Sequence, residues 1–178
     1  MMSKKIKTIL VLSIICFAAF FSSASLATNK KDIKTLTRAI GFMQGGPVGD
    51  VKMAIIYDPY NDLSVAHANE VIDAIRNSDN KNKVRLTGEG VSFSSMEKVD
   101  AKVIFITKGM DHNYAAILKR AKELSAITVS TVEDCLTNGG CVLVVKTEPD
   151  VDILVNTNLA KEMEIEFSIA FNMMITKR

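Results

Sequence analysis

The sequence predicts an α/β domain: a mixed, mostly buried sheet with helices on both faces and an antiparallel hairpin near its C-terminal edge. Three observations carry this. From Asp32 onward, short aliphatic runs alternate with stretches whose apolar residues recur at three-and-four spacing. Most of the runs are apolar throughout rather than alternating with polar residues, as strands covered on both faces are. The last two runs, residues 141–145 and 151–155, are joined so closely through Pro149-Asp150 that they pair antiparallel.

The first helix covers residues 32–43, with Ile33, Leu36, Ala39, Ile40 and Met43 on one face, and Gly45-Gly46-Pro47 ends it. A buried strand follows at 51–57, stopped by Asp58-Pro59. Asn61 or Asp62 caps a second helix whose inward stripe is Val65, Ala68, Val71, Ile72 and Ile75. After a polar turn at 77–82, residues 83–86 suggest a strand and Gly88-Glu89-Gly90 a break. Residues 102–107 form a stronger strand, and Asp111 caps a third helix carrying Tyr114, Ile117, Leu118, Ala121 and Leu124 on one face. Residues 127–130 read as a short strand, 132–136 as a helical turn and 159–163 as a short helix. The tail is ambiguous: Ile165, Phe167, Ile169, Phe171, Met173 and Ile175 alternate as a strand would, whereas Phe167, Phe171 and Met174 also fit a helix.

At 178 residues, 48% hydrophobic and 24% charged, with 9 Gly and 3 Pro, the chain is neither disordered nor of low complexity, and its length fits one domain plus a removable segment. Residues 1–27 have the three regions of a secretory signal peptide: Lys4, Lys5 and Lys7, an apolar run at 9–21, then small residues, with Ser25 and Ala27 at the −3 and −1 positions of a cut after Ala27. A cut after Ala24 is the second choice. The apolar run, at 1.5 Å per residue, reaches about 20 Å, short of the roughly 30 Å of hydrocarbon a membrane anchor must cross. The domain proper is then 28–178, in the periplasm, with no stable membrane insertion after cleavage. Of the 22 Lys and Arg, three lie in that leader, where no Asp or Glu stands, which leaves 19 basic against 20 acidic residues. Such a balance carries no electrostatic footprint for nucleic acid.

Export leaves Cys135 and Cys141, with Asn138-Gly139-Gly140 between them, in a compartment where disulfides persist. A disulfide is the simplest outcome, since the glycines let the chain reverse. Two free buried thiols, or a labile bridge that senses redox state, are the alternatives. The spacing is not the Cys-x-x-Cys of thiol oxidoreductases.

The search for chemistry finds no catalytic constellation. Neither Gly45-Gly46, Gly88-Glu89-Gly90 nor Gly139-Gly140 forms a phosphate-cradling loop, and there is no G-x-S-x-G elbow. His67 and His112 lack metal-ligand spacing and read as surface histidines. Asp58 beside Pro59 reads as a turn former, and Asp111 as a helix cap rather than half of an acid-base pair with His112. Met110, Met173 and Met174 read as gap-fillers rather than ligands of a soft metal. No cofactor and no metal is expected, and the chain reads as a non-enzyme.

One stretch is more specific: Ile127-Thr128-Val129-Ser130-Thr131, then Gly139-Gly140, an aliphatic strand, Val151-Asp152-Ile153-Leu154-Val155-Asn156 and Ala160. It is similar to the C-terminal half of the YfiR-like periplasmic proteins, and the upstream order of elements resembles that family over about residues 31–176. The departures are specific. Gly45-Gly46-Pro47 stands where the family has Trp-Pro, Ser130-Thr131 where it has Ser-Asp, and Ser168-Ile169-Ala170-Phe171 lacks the family's closing Arg. The resemblance implies a helix at 165–175 and an exported, non-enzymatic, often dimeric protein. Such a protein restrains an inner-membrane diguanylate cyclase by binding its periplasmic portion and thereby modulates cyclic-di-GMP signalling. It also places Cys135 and Cys141 where relatives carry a bridge that couples envelope redox state to output. The alternative reading is a periplasmic small-molecule binding module.

Overall fold

The structure is a computed structural model that describes residues 27–78 and 83–178. The expected leader lies outside the described residues apart from Ala27. No described helix is long and apolar enough to cross a membrane.

Among the described residues seven strands form one sheet, in the order β2-β1-β3-β4-β5-β6-β7. They are β1 (Gly49–Tyr57), β2 (Val84–Ser92), β3 (Val103–Ile106), β4 (Ile127–Ser130), β5 (Leu143–Lys146), β6 (Asp152–Val155) and β7 (Thr176–Lys177). The first five are parallel; β6 runs antiparallel to β5, and β7 pairs parallel with β6. The hairpin expected between residues 141–145 and 151–155 is therefore present as β5–β6.

Side chains alternate across the sheet, and both sides are apolar. Met53, Ile55, Val103 and Phe105 point into the layer beneath α1 (Lys30–Ile40) and α2 (Asp62–Arg76). Ala54, Ile56, Ile104 and Ile106 point into the layer beneath α3 (Tyr114–Leu124) and α4 (Glu133–Thr137). Burial on two faces is why these strands read as continuous apolar runs.

Local chemistry fixes the helix ends. Asn29 accepts from the backbone of Lys31 and Asp32 while Asp32 returns a bond to the Asn29 N–H, a capping box that starts α1 before the expected residue 32. Asn61 caps α2 by accepting from Leu63 and Ser64. Asn156 caps α5 (Thr157–Glu162), and Ser168 caps α6 (Ile169–Asn172).

Three expectations need correction. Gly88-Glu89-Gly90 does not break a strand: β2 runs through it, fully in register with β1. The glycines make room instead, because a Cβ on Gly88 would stand 2.5 Å from Ile75 Cδ1 of α2. Asp111 does not cap the third helix. A 3-10 turn at Asp111–Asn113 precedes α3, and the Asp111 carboxylate accepts from the Tyr114 hydroxyl at 3.2 Å. The tail is neither one strand nor one helix, for it contains α6, a Met43–Phe167 bridge and then β7. Its Phe167 and Phe171 rings pack at 4.9 Å between centroids, so aromatic burial rather than local periodicity sets its path.

Candidate functional site

In a parallel sheet with the order 2-1-3-4-5, ligands usually sit at the carboxyl ends of β1 and β3, where the strand order reverses. That position is built here from Thr28, α2, the loop after β3 and the end of β4, and its centre is His67. Far from being a surface histidine, His67 is 1% exposed. Its Nδ1 accepts the Lys108 backbone N–H at 3.0 Å, so the ring proton sits on Nε2. The Nε2–H faces the Thr28 hydroxyl at 2.8 Å and that of Thr131 at 3.1 Å, and the two hydroxyls lie 2.6 Å apart. Burial first, and the Lys108 charge second, hold the imidazole down at a pKa of about 4. This neutral ring is a structural donor-acceptor bridge. Phe105 adds an edge contact at 5.5 Å between ring centroids.

A second chain of hydroxyls ties off the neighbouring backbone. The Thr107 hydroxyl donates to the Ile56 carbonyl at 2.9 Å, Ser64 bonds Thr107 at 2.7 Å, and Ser64 accepts the Asp58 N–H at 2.9 Å. The Asp58 carboxylate accepts from the Tyr60 N–H at 2.9 Å, which is the turn-forming role expected of it. What stays open beside Thr28, Asp32, Lys108 and Thr131 is a cavity of about 70 Å³, room for about two waters.

The stretch that carried the resemblance is explained by strand-end chemistry. The Thr128 hydroxyl accepts the Val142 N–H at 3.2 Å, where β4 meets the start of β5. The Ser130 hydroxyl donates to the Ile106 carbonyl at 2.8 Å and accepts the Val132 N–H at 3.2 Å. Asn156 caps α5 and also reaches the Leu136 carbonyl of α4 at 3.4 Å. Cys135 and Cys141 are bonded as a disulfide with Cα atoms 5.4 Å apart, and both are buried. Gly139 supplies a positive φ of 75°, and Gly140 lies against the Tyr114 ring so closely that a Cβ would meet it at 2.6 Å. The Gly140 and Cys141 N–H groups both donate to the Cys135 carbonyl, at 2.7 and 2.9 Å.

Other residues singled out in the sequence do not converge. His112 is exposed, Met110 is fully buried under α3, and Met173 and Met174 are exposed beyond α6. Among the described residues no cluster of three His, Cys, Asp or Glu could hold a metal.

Sequence reasoning missed an open surface on α1. Lys31, Lys34 and Arg38 follow one another at three-and-four spacing and, with Lys83, rim a groove of about 820 Å³. Its floor includes Phe42, Val151 and Met174, which are 38%, 55% and 58% exposed, and Phe171, on which Phe42 stacks at 5.2 Å between centroids. None of the four cations makes an ion pair among the described residues. The signal was there: a row of like charges on one helix face beside an aromatic.

Comparison with known proteins agrees with this architecture. Similar solved structures are a conserved domain protein from Vibrio cholerae (TM-score 0.60, 12% identity, 85% of this chain and 60% of that one) and a ligand-free, open substrate-binding protein with adhesive properties from Clostridium difficile (TM-score 0.55, 12% identity, 86% and 60%). A third is the ABC domain in complex with L-Trp from Streptococcus pneumonia (TM-score 0.56, 8% identity, 83% and 59%). This chain thus spans about three fifths of their length, and at such identities the likeness is one of fold. No curated protein matches. The YfiR/HmsC-like family model matches residues 58–170, from the Asp58 turn past the disulfide and Asn156 to α6. With the T-V-S strand, the Gly-Gly turn and the Asn cap each in its structural place, the chain belongs to the YfiR/HmsC-like family.

Proposed function

We propose that this protein is exported and binds the periplasmic portion of an inner-membrane signalling protein, a diguanylate cyclase, so modulating cyclic-di-GMP signalling. One observation carries the reading. The crevice where a sheet of this order would take a small ligand is filled by Thr28, His67 and Thr131, while an apolar groove rimmed by cations stays open on α1. The occupant we assign to that groove is an acidic segment of the partner bearing apolar side chains. Like charges at i,i+3 and i,i+4 each cost a helix a few tenths of a kcal/mol, and opposing carboxylates offset that cost. Exposed apolar side chains grouped together are the usual mark of an interaction surface. A soluble domain of this kind acts on a membrane enzyme by binding one of its states more tightly than the other. Opening the Cys135–Cys141 bridge loosens the turn on Tyr114 and lowers the population that binds, which makes the interaction redox-dependent.

Deletion of the gene tests this reading. Intracellular cyclic-di-GMP changes on deletion and returns when the chain is supplied in trans; an unchanged level contradicts the proposal. The second reading, a small-molecule binding module, is favoured by the groove's volume, which falls within the range of ligand pockets. Stabilisation of the purified chain by small apolar carboxylates, reversed by Arg38→Glu, would select it.

A further inference from the structure

We propose that the ligand of the switch-point crevice is the protein's own processed N-terminus, the Thr28 α-ammonium docked on the Glu70 carboxylate. The inference rests on the export reading. The covalent step is hydrolysis of the Ala27–Thr28 peptide bond by the signal peptidase: water adds across it, the leader leaves with the Ala27 carboxylate, and the Thr28 nitrogen takes up protons to become an ammonium.

Two independent lines meet at this bond. In the sequence, Ser25 and Ala27 hold the −3 and −1 positions. In the structure, exposure changes at the same point: Ala27 is exposed and Thr28 only 8% exposed. Thr28 is more than the first buried residue among those described. Its hydroxyl closes the His67–Thr131 network, and its backbone nitrogen lies 3.2 Å from Glu70 Oε2 on α2. This is the one hydrogen bond of the Glu70 side chain among the described residues.

In the unprocessed chain that nitrogen is an amide with one hydrogen and no charge. After cleavage it carries three hydrogens and a full positive charge opposite a carboxylate, and a hydrogen bond between two ions is about twice as strong as a neutral one. The amino alcohol of an N-terminal threonine thus presents two adjacent groups. The ammonium goes to Glu70, the hydroxyl goes to His67 and Thr131, and both are already positioned. A cut after Ala24 forms no such pair, because the Thr28 nitrogen stays an amide and the charge lies three residues away.

Secreted protein recovered from the envelope is weighed intact and treated with periodate, which cleaves N-terminal 1,2-amino alcohols. The expected mass is that of residues 28–178. The folded protein is oxidised about tenfold more slowly than the same protein in denaturant, the size of effect one charge-assisted hydrogen bond produces. Glu70→Gln speeds the folded reaction. An independent readout needs no change at Glu70: a chain made to begin at Ala27 melts about 3 °C below one that begins at Thr28. Export with a start at Ser25 overturns the docking and leaves the export reading intact, whereas full-length protein in the cytosol overturns both. A Thr28 start with equal oxidation rates folded and unfolded, no effect of Glu70→Gln, or equal melting of the two chains also overturns the docking.

Discussion

His67 Nδ1 accepts the backbone N–H of Lys108 at 3.0 Å and so locks α2 to the loop after β3. The bond requires a neutral ring, and it sits where related sheet architectures place a ligand. What closes that position to ligands also gives the protein a pH dependence.

The sign follows from linkage. With its pKa held at about 4 in the fold against 6.5 in the unfolded chain, His67 binds fewer protons folded than unfolded between those values. Its contribution to stability is therefore complete above pH 6.5 and fades as pH falls toward 4. About 2 kcal/mol is lost between pH 7.5 and pH 5. Urea unfolding at the two pH values measures it, and His67→Gln, which keeps a donor toward Thr28, flattens the difference. An equal slope in wild type and variant would remove His67 as its source.

Cys135→Ala with Cys141→Ala lowers stability by about 2 kcal/mol, the chain-entropy contribution of so short a loop. The fold itself persists, because the Cys135 carbonyl still accepts from Gly140 and Cys141. Urea midpoints report the loss, and far-UV circular dichroism checks the fold. If the double variant were as stable as wild type, the redox coupling proposed above would lose its physical basis.

Gly140→Ala puts a methyl against the Tyr114 ring and costs about 1–3 kcal/mol, the usual effect of overpacking. Gly139→Ala meets no neighbour and is limited by its positive φ of 75°. The distinguishing measurement is Gly140→Ala with Tyr114→Leu. The smaller side chain recovers part of the loss if the ring is the obstacle and recovers none if backbone strain is.

Lys34→Glu with Arg38→Glu leaves thermal stability within about 0.5 kcal/mol of wild type, as changes at exposed sites do. It abolishes complementation of the deletion strain by reversing the groove's charge. Full complementation by the double variant would show that α1 does not face the partner.

Much of the scaffold was legible because two-sided burial leaves aliphatic runs such as those around Ile55, Ile104 and Val144, and because Asn61 announces the start of its helix. The closeness of residues 145 and 151 was enough to give the β5–β6 hairpin. The sequence misled where tertiary contact overrode local preference. Gly88 and Gly90 look like breakers, yet they serve a strand that must let Ile75 and Ile72 of α2 approach. Asp111 looks like a cap, yet it turns to Tyr114. His67 could have been placed inside, since it lies one turn before Val71 and two before Ile75 on the inward stripe. What no pattern shows is its partners, because Thr28, Lys108 and Thr131 come from three distant segments. The groove on α1 was visible as a charge row but acquires its apolar floor only when Val151 and Phe171 fold beside it.

The most direct test of a regulator that works through this groove is site-specific crosslinking in the intact envelope. A benzophenone amino acid replaces Phe42 on the groove floor, with Lys98, exposed elsewhere on the surface, as the control position. The account predicts a light-dependent adduct from position 42, and none from position 98, whose captured peptides belong to the periplasmic portion of an inner-membrane diguanylate cyclase. No adduct at position 42, or the same adducts at both positions, would contradict it.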